Sequence, residues 1–342
     1  MAAVKYSIII TCHNQRGFIA DAIESALRQT CSNCELIVVD DGSTDGSSEV
    51  VQRYSGRAQV VKLPKNTGAS GARNAGSFLA KGDYLVFLDG DDVLKPWALS
   101  VYDSVIQKYR PSVVLATLTW FQGAVPVAGE TEAPREIEVV NYDYLAQKDR
   151  GYRSSASALV IQRTAFEQVR GWAKEACPFE DQHLEAKLAF SCRAITVVHP
   201  QTVFYRLHSS NTIHDVEKIV RGCYGFVSAP LPSAESRSVS DYFGRTAIIG
   251  GPAFWAVKKA FHARLYAESA KLLVHVSPWV AAAALVRLRA KIAGRRPTEK
   301  FMLDSQPEAL PLVADVASRE TKVRFAAAGA GGCSGQATKP AD

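Results

Sequence analysis

The sequence has 342 residues, a length that corresponds to about two domains. Apolar residues make up 47% of the chain and charged residues 22%, which excludes a disordered, collagenous or coiled-coil protein. The formal net charge is +6, but residues 214–300 contain 14 Lys and Arg against 6 Asp and Glu, so a basic second region follows a slightly acidic first one.

The first third of the chain alternates between strand and helix patterns. Short apolar runs predict strands at residues 6–10, 35–39, 58–61, 84–88 and 112–116. Apolar residues at helical spacing predict helices at residues 18–27, 47–54, 69–80 and 96–108. This alternation is typical of βαβ units, so we expect an α/β fold with a mostly parallel sheet flanked by helices.

The remainder of the chain is less regular and then becomes helical. Residues 117–213 are expected to complete the first domain, so that it covers residues 1–213. Residues 214–303 are predicted to form a mainly helical basic region, and residues 304–342 a poorly ordered tail. Ser277 and Pro278 predict the start of a helix and Gly294 its end. The apolar stretch 272–286 is predicted to be too short and too interrupted to span a bilayer.

The cysteines and the N-terminus bear on the compartment. Seven cysteines exclude a fully paired disulfide framework, and Cys31 and Cys34 have no second pair with which to bind zinc. The opening residues lead straight into a strand pattern with no signal peptide. We therefore expect a cytoplasmic protein with reduced thiols.

Polar residues follow three of the predicted strands. Thr11 to Asn14 follow the first strand, residues 40–45 the second, and Asp89 to Asp92 the fourth. In an open parallel sheet these positions meet at one crevice, where ligands bind. Converging carboxylates repel one another unless a divalent cation separates them. The sequence has neither an ATP-binding P-loop nor a dinucleotide-binding glycine motif after the first strand, so we expect a phosphate group held through a metal ion on an Asp-x-Asp motif.

Four ordered blocks within 86 residues carry a family resemblance. They are SIIITCHN at 7–14, VVDDGSTD at 38–45, NTGASGARNAG at 66–76 and LDGDD at 88–92. Together they resemble family 2 glycosyltransferases, which have the Rossmann-like GT-A fold and transfer sugars from nucleotide-sugar donors. The resemblance is strong over about 1–118, looser over 150–213, and does not extend to the helical C-terminal region.

The resemblance implies roles for residues in the matching blocks. Thr11, Asn14, Asp41, Arg73 and Asp89 would bind the nucleotide-sugar, with Asp41 accepting a hydrogen bond from a uracil or thymine ring N–H. The resemblance also implies a Mg²⁺ or Mn²⁺ ion on the diphosphate. Its expected ligands are Asp91, Asp92 and His208. The ion and Arg73 would stabilise the negative charge of the departing nucleoside diphosphate.

Two later segments resemble further blocks of the family. Asp181, in the segment 179–184, is the candidate general base that takes the proton of the acceptor hydroxyl. Acidic residues are also favoured at a helix N-terminus by the helix dipole, so a structural role for Asp181 stays open. His208, in the segment 205–211, either completes the metal site or is an ordinary packed histidine.

The basic C-terminal region has two interpretations. Six Lys and Arg residues between Arg287 and Lys300 follow the apolar segment 280–286, as in helices that lie on an anionic membrane surface. The alternative is a solvated helix that packs on the first domain. The sequence has no zinc finger, RNA-recognition or basic-zipper pattern, so we expect no nucleic-acid partner.

The sequence favours metal-dependent, inverting transfer of a hexosyl group from a nucleotide-sugar, preferably a UDP-sugar, to a sugar or lipid-linked acceptor hydroxyl. Synthesis of a bacterial-type surface polysaccharide or glycolipid is the expected context. Two alternatives stay open: a phosphatase of the haloacid dehalogenase type, suggested by the apolar strand before Asp89, and a non-catalytic sugar-nucleotide-binding scaffold. Release of phosphate from simple phosphomonoesters would favour the phosphatase.

Overall fold

A computed structural model describes residues 4–30, 33–126, 134–141, 155–189, 192–231, 239–293 and 298–303. The strands in these ranges are β1 (Tyr6–Cys12), β2 (Cys34–Asp40), β3 (Gln59–Lys62), β4 (Tyr84–Asp89), β5 (Val93–Leu94), β6 (Val113–Leu115), β7 (Leu118–Phe121), β8 (Glu136–Asn141), β9 (Leu159–Gln162), β10 (Ala194–His199), β11 (Val203–Arg206) and β12 (Glu299–Met302). The helices are α1 (Ile19–Leu27), α2 (Ser47–Gln52), α3 (Ala69–Leu79), α4 (Ala98–Tyr109), α5 (Arg163–Gln168), α6 (Glu180–Leu188), α7 (Val216–Ser228), α8 (Val239–His262) and α9 (Tyr266–Ala293).

Within the described ranges, nine strands form one sheet in the order β12-β8-β10-β6-β9-β4-β1-β2-β3. All but β8 and β9 run in one direction, which confirms the predicted mostly parallel α/β sheet. The five strands and four helices predicted for the first third of the chain are all present, with bounds within a few residues of the prediction. A second small sheet has the order β5-β11-β7 and lies next to the loop that follows β4.

The central strands of the large sheet are buried on both faces because they are apolar at almost every position. Ile8 and Ile10 belong to the core that α1 and α4 cover. Ile9 lies in the opposite core, with residues of α3, α5 and α6. A Cβ atom at Gly76 of α3 would lie 2.5 Å from the Ile9 side chain, so only glycine allows α3 to approach β1 this closely.

The C-terminal helices form a core of their own against α6. Phe179, just before α6, stacks on Phe226 of α7 with ring centroids 5.0 Å apart. Apolar residues of α8 and α9 complete this cluster. The helical character predicted for this region is confirmed, but β12 returns from it to pair with β8 at the sheet edge, which the sequence analysis did not predict.

The expected helix start at Ser277 and Pro278 is wrong. Helix α9 continues through Pro278 from Tyr266 to Ala293, just before Gly294. Pro278 lacks the N–H that would bond the carbonyl of Val274, and the Ser277 Oγ–H donates to that carbonyl instead, at 2.9 Å. Of the described helices, α9 alone is long and apolar enough to cross a membrane, over Tyr266–Val286, with a mean hydropathy of 1.4. The prediction that residues 272–286 are too short and too interrupted left out the start of the same helix, so it is wrong about length and composition.

Several predictions fall outside the described residues. They concern Cys31 of the C-x-x-C pair, the basic residues Arg295 and Arg296, and the tail at 304–342.

Candidate active site

The ends of β1, β2 and β4 lie side by side and define one crevice. In the parallel register Cys12 pairs with Asp40, and Thr11 pairs with Asp89. The alternation of strands and helices forces these ends to the same edge of the sheet. The structure therefore brings together the three polar clusters that the sequence placed after these strands.

Asp41 ties the loop after β2 to the loop before α3. Its carboxylate is 2% exposed and accepts hydrogen bonds from the N–H and the hydroxyl of Thr67, at 2.7 and 2.8 Å. The neighbouring Gly42 has a φ of +67°, and a Cβ atom there would lie 2.7 Å from the carbonyl carbon of Lys65. Glycine is thus required where the two loops touch. The predicted contact between Asp41 and a pyrimidine ring stays a prediction.

His13 and Asn14 lie next to Asp41 at the crevice. The His13 Nδ1 lies 2.8 Å from the Asp41 carbonyl oxygen, and its Nε2 lies 2.8 Å from the Asn66 side-chain nitrogen. A neutral ring with the proton on Nδ1 satisfies both contacts. Asn14 adopts a left-handed φ of 53°, and its side-chain oxygen accepts the Thr44 N–H at 2.8 Å. Both residues are exposed on the crevice side of β1, where a donor contact was predicted for Asn14.

Arg73 bridges the end of β4 and the start of α6. Its guanidinium donates to Asp89 at 2.6 Å and to Glu180 at 3.0 Å, and it lies over the Trp172 ring at 4.8 Å. The side chain is only 4% exposed. Burial opposes its charge, but the two carboxylates outweigh burial and raise the pKa of Arg73. Burial also raises the pKa of Asp89, although Arg73 opposes that shift.

Asp91 and His208 form a second pair at the crevice. The Asp91 carboxylate lies 2.8 Å from the His208 Nε2. The His208 ring stacks on Phe18 with centroids 4.8 Å apart, and its Nδ1 lies 2.7 Å from the Ser210 hydroxyl. Packing and hydrogen bonding thus fix the ring, so its Nε2 points at the carboxylate that the Asp-x-Asp motif supplies.

Asp92 lies inside the protein. It is 1% exposed, and its two carboxylate oxygens accept hydrogen bonds from the Ser157 hydroxyl at 2.6 Å and the Arg206 N–H at 3.0 Å. Burial, with the charges of Asp91 and Asp89, raises the pKa of Asp92 well above its ordinary value. Because both oxygens are engaged internally, this placement does not support the predicted role of Asp92 as a metal ligand.

The donor set for a metal ion is therefore small. No group of three or more His, Cys, Asp or Glu side chains clusters as a metal site within the described ranges. Asp91 and His208 offer one carboxylate and one imidazole that already converge. The carboxylate suits either Mg²⁺ or Mn²⁺, whereas the imidazole suits a transition-metal ion better than Mg²⁺, which prefers oxygen ligands. The residues present fit a divalent cation as a two-residue set.

Asp181 lies in the first turn of α6, next to Glu180. Its carboxylate accepts the Gln182 N–H at 2.8 Å. Burial raises the pKa of Asp181 well above that of an ordinary carboxyl, and the charges of Glu180 and Glu185 add to the shift. A carboxylate with a raised pKa suits general-base catalysis near neutral pH.

Comparison with known proteins identifies the family. The sequence model described as glycosyl transferase family 2 matches residues 7–160. GlyG, a glycosyltransferase of Streptococcus pneumoniae serotype 4, is 32% identical over 217 residues, which cover 60% of this chain and 71% of GlyG. The chain belongs to glycosyl transferase family 2. It is therefore a glycosyltransferase. The two alternatives that the sequence left open, a phosphatase and a non-catalytic scaffold, are not supported.

Other known proteins match this chain in sequence or in structure. WfaP of Escherichia coli is named as a UDP-Glc:α-D-GlcNAc-diphosphoundecaprenol β-1,3-glucosyltransferase. It is 41% identical over 88 residues, which are 25% of this chain and 35% of WfaP. In structure, residues 1–349 of S. aureus TarS in complex with UDP-GlcNAc superpose with a TM-score of 0.59 at 18% identity, covering 84% of this chain and 83% of that chain. This likeness shows the GT-A fold.

Sequence reasoning missed several residues of this family 2 site. Glu180 completes the ion pair of Arg73, and Ser157 holds both Asp92 and the N–H of Asp89. Arg206 donates to the carbonyl of Asp91 at 2.9 Å and to Asp21 at 2.7 Å. Glu180 and Arg206 lie inside the two later blocks that resemble the family, so the signal was present. Ser157 lies in no motif and was visible only in the structure.

Proposed function

We propose that the protein transfers a hexosyl group from a nucleoside-diphosphate sugar, with UDP-sugars favoured, to an acceptor hydroxyl with inversion at the anomeric carbon. The observation that carries this proposal is the bridge from Asp89 through Arg73 to Glu180. It holds the start of α6, and with it Asp181, beside the strand end that carries Asp91. A candidate base and a candidate metal ligand are thus fixed at one crevice.

The donor is proposed to lie along the ends of β1 and β2. Thr11, Asn14 and Asp41 line this part of the crevice, and Arg73 and Asp89 lie beyond them toward β4. The UDP donors in the names of the WfaP relative and of the TarS complex agree with a preference for UDP. The contacts of each side chain with the nucleotide are predictions that the family resemblance supplies.

Asp91 and His208 are the residues proposed to hold a Mg²⁺ or Mn²⁺ ion. When bound, the cation neutralises charge on the diphosphate leaving group. Stacking on Phe18 and the contact with Ser210 hold the His208 ring in the orientation that this role needs. Arg206 steadies the same loop through the Asp91 carbonyl.

Asp181 is proposed to receive the proton of the acceptor hydroxyl. The acceptor oxygen forms a bond to the anomeric carbon while the bond from that carbon to the phosphate oxygen breaks. The electron pair of the broken bond leaves with the nucleoside diphosphate, and the hydroxyl proton passes to Asp181. Attack on the face opposite the leaving group inverts the anomeric centre.

We further propose a peripheral position on the inner face of a bacterial membrane, with a lipid-linked acceptor. On α9 the exposed apolar residues fall within about 120° of the helix circumference at 100° per residue. They are Tyr266, Leu273, Val274, Leu285 and Leu288. Residues 254–293 contain seven Lys and Arg against one Glu, so a second copy of the chain would be repelled and an anionic lipid surface attracted. The lipid-diphosphate acceptor in the name of WfaP agrees with this position.

Donor binding tests the proposed function. Thermal unfolding of the purified chain is measured with UDP-, GDP- and dTDP-sugars, each with Mn²⁺ and with EDTA. We expect the melting temperature to rise with UDP-sugars and Mn²⁺, and the rise to disappear in EDTA. Equal stabilisation in EDTA would contradict the metal, and no stabilisation by any nucleotide-sugar would contradict the donor class.

A further inference from the structure

Trp120 is an exposed aromatic side chain near the crevice. The proposed reaction assigns no role to it. The side chain is 40% exposed and lies on β7, the outer strand of the small sheet. The middle strand of that sheet, β11, pairs Tyr205 with Trp120, and the two rings lie 4.7 Å apart. The two rings are tilted at 55° to each other, so they form an angled pair of adjacent aromatic faces.

Strand alternation separates this surface from the core of the small sheet. Phe204 and Phe121 pack together with Val93 in a buried cluster. Tyr205 and Trp120 are the neighbours of Phe204 and Phe121 along their strands, so their side chains point to the opposite face. The face that carries Tyr205 and Trp120 is partly exposed, whereas the face that carries Phe204 and Phe121 is buried.

The open face looks toward the acidic residues. The backbone N–H of Arg206, next to Tyr205, donates to Asp92 at 3.0 Å. Burial, with the charges of Asp92, Asp89, Asp91 and Asp181, raises the pKa of Tyr205, which agrees with a position of its side chain near these acids. Two strand spacings, about 10 Å, separate β7 from β5, which directly follows Asp92. The two aromatic residues therefore lie beside the acid cluster, one and two strands away from β5.

We propose that Trp120 and Tyr205 form a platform that binds the pyranose ring of the acceptor, with the apolar face of the sugar against the Trp120 ring. The donor is proposed to occupy the ends of β1 and β2, on the other side of β4 from this platform. An aromatic face favours the C–H face of a sugar, and the Tyr205 hydroxyl and Asp181 supply polar partners for its hydroxyls. This inference rests on the proposed function, because it assigns the acceptor to the same site.

Saturation-transfer-difference NMR on the full chain with UDP and Mn²⁺ tests the platform. The probes are methyl β-glucopyranoside, methyl β-galactopyranoside and methyl N-acetyl-β-glucosaminide. We expect at least one to bind, and we expect Trp120→Ala and Trp120→Leu each to weaken that binding about fivefold to tenfold. Trp120→Leu keeps apolar bulk in case the alanine variant unfolds. Trp120→Phe is expected to retain most of the binding.

Two controls separate this inference from the proposed function. Phe78 on α3 is 88% exposed, and Phe78→Ala is expected to leave glycoside binding unchanged. UDP affinity, measured by calorimetry, is expected to be equal in the wild type and in the Trp120 variants. Glycoside binding that survives Trp120→Leu, or a wild type that binds UDP but none of the probes, would overturn the platform. A wild type that binds no UDP would instead overturn the proposed function.

Discussion

At the residue scale, three adjacent acids of one motif have different surroundings. Asp89 pairs with Arg73, Asp91 faces His208, and Asp92 is enclosed by Ser157 and Arg206. Their spacing in the chain is one or two residues, so the turn after β4 separates their side chains. The resemblance to the family treats this segment as one block, whereas the hydrogen bonds divide it into different roles.

The different surroundings of Asp91 and Asp92 predict opposite phenotypes. Asp91→Ala is expected to abolish transfer and metal-dependent nucleotide binding, while the melting temperature stays close to that of the wild type. Asp92→Ala leaves a buried hydroxyl and a buried N–H without their acceptor, which costs about 1–3 kcal/mol for each unpaired group. Its melting temperature is therefore expected to fall by several degrees.

Scanning calorimetry and nucleotide titration with and without EDTA compare the two variants. If Asp92→Ala kept the wild-type melting temperature and lost metal-dependent binding, Asp92 would be a ligand after all. Full transfer by Asp91→Ala, or by the wild type in EDTA, would rule out the proposed metal site.

Replacement of the proposed base separates chemistry from binding. Asp181→Asn keeps the size of the side chain and removes its proton acceptor, so kcat is expected to fall about 10²–10⁴-fold with little change in donor affinity. Glu167→Gln, an exposed change on α5, serves as the control. Normal turnover with weakened donor binding in Asp181→Asn would make this residue a donor contact.

The pKa of Asp181 also predicts the pH dependence of transfer. The base must be ionised, and burial raises its pKa well above the ordinary carboxyl range. Transfer is therefore expected to rise as pH increases through that raised pKa and to fall on the acid side of it. Asp181→Asn is expected to lose this acid limb from the pH profile of kcat. An acid limb that persists unchanged in the variant belongs to another group.

At the element scale, α6 connects the site to the C-terminal helices. Its first turn carries Glu180 and Asp181, and its buried face packs against α7 and α8. The Lys187 side chain donates to the carbonyl of Gly171, and burial lowers the pKa of Lys187 to about 8. His183 is fully buried near the Ala229 carbonyl, and burial beside Lys187 lowers its pKa to about 4. This helix therefore buries basic groups close to the proposed base.

Burial of His183 predicts a loss of stability in acid. The pKa of histidine in an unfolded chain is about 6.5, and that of His183 in the folded protein is about 4. Between these pH values the unfolded chain binds more protons, so the free energy of unfolding falls as pH falls. Lys187 lowers this pKa further and Glu175 opposes the shift.

The melting temperature of the wild type and of His183→Gln, measured between pH 7.5 and 5, checks this expectation. The wild type is expected to lose several degrees more than the variant over this range, because glutamine does not titrate. Parallel pH profiles would show that His183 titrates equally in the folded and unfolded chains.

At the scale of the whole molecule, α8 and α9 present an apolar and basic surface. Helix α9 packs Leu272 and Val276 against α8, while Leu273 and Val274 are exposed on its outer side. The carbonyl of Trp279 lies so close to Gly250 that a Cβ atom there would be only 1.9 Å away, so glycine allows the two helices to touch. A helical hairpin with one apolar side outward suits a lipid surface parallel to its axis.

Vesicle binding is expected to depend on anionic lipid and on salt. Each basic residue near an anionic surface contributes about 1 kcal/mol, and this attraction weakens as salt shortens the Debye length. Binding to vesicles with 30% anionic lipid is therefore expected to fall with salt without vanishing, because the apolar face adds a part that salt does not weaken. Replacement of Arg287, Arg289, Arg295 and Arg296 by Gln is expected to remove the salt-dependent part.

Sedimentation with vesicles, at several salt concentrations, measures the part of the binding that salt weakens and the part that it does not. Leu273→Ser combined with Val274→Ser is expected to reduce the part that persists at high salt, and Arg163→Gln on α5 is the control for loss of charge elsewhere. If the wild-type chain did not bind anionic vesicles even at low salt, the proposed membrane position would be refuted. Helices α8 and α9 would then serve only to pack against the rest of the protein.

Local patterns of residues were enough to predict the local features of the fold. Apolar runs with helical stretches between them specify β1 to β4 and α1 to α4, because periodicity is a property of neighbouring residues. The positions of Thr11, Asp41 and Asp89 at strand ends follow from the same periodicity. Parallel pairing then requires that these ends meet at one edge of the sheet.

Contacts between distant parts of the chain could be identified only in the folded protein. Arg73 and Glu180 are 107 residues apart and Asp91 and His208 117, so no local pattern could pair them. The enclosure of Asp92 and the return of β12 to the sheet edge depend on segments that converge only in the folded chain. These features depend on long-range contacts, because a buried polar group needs a hydrogen-bond partner and that partner can come from any part of the folded chain.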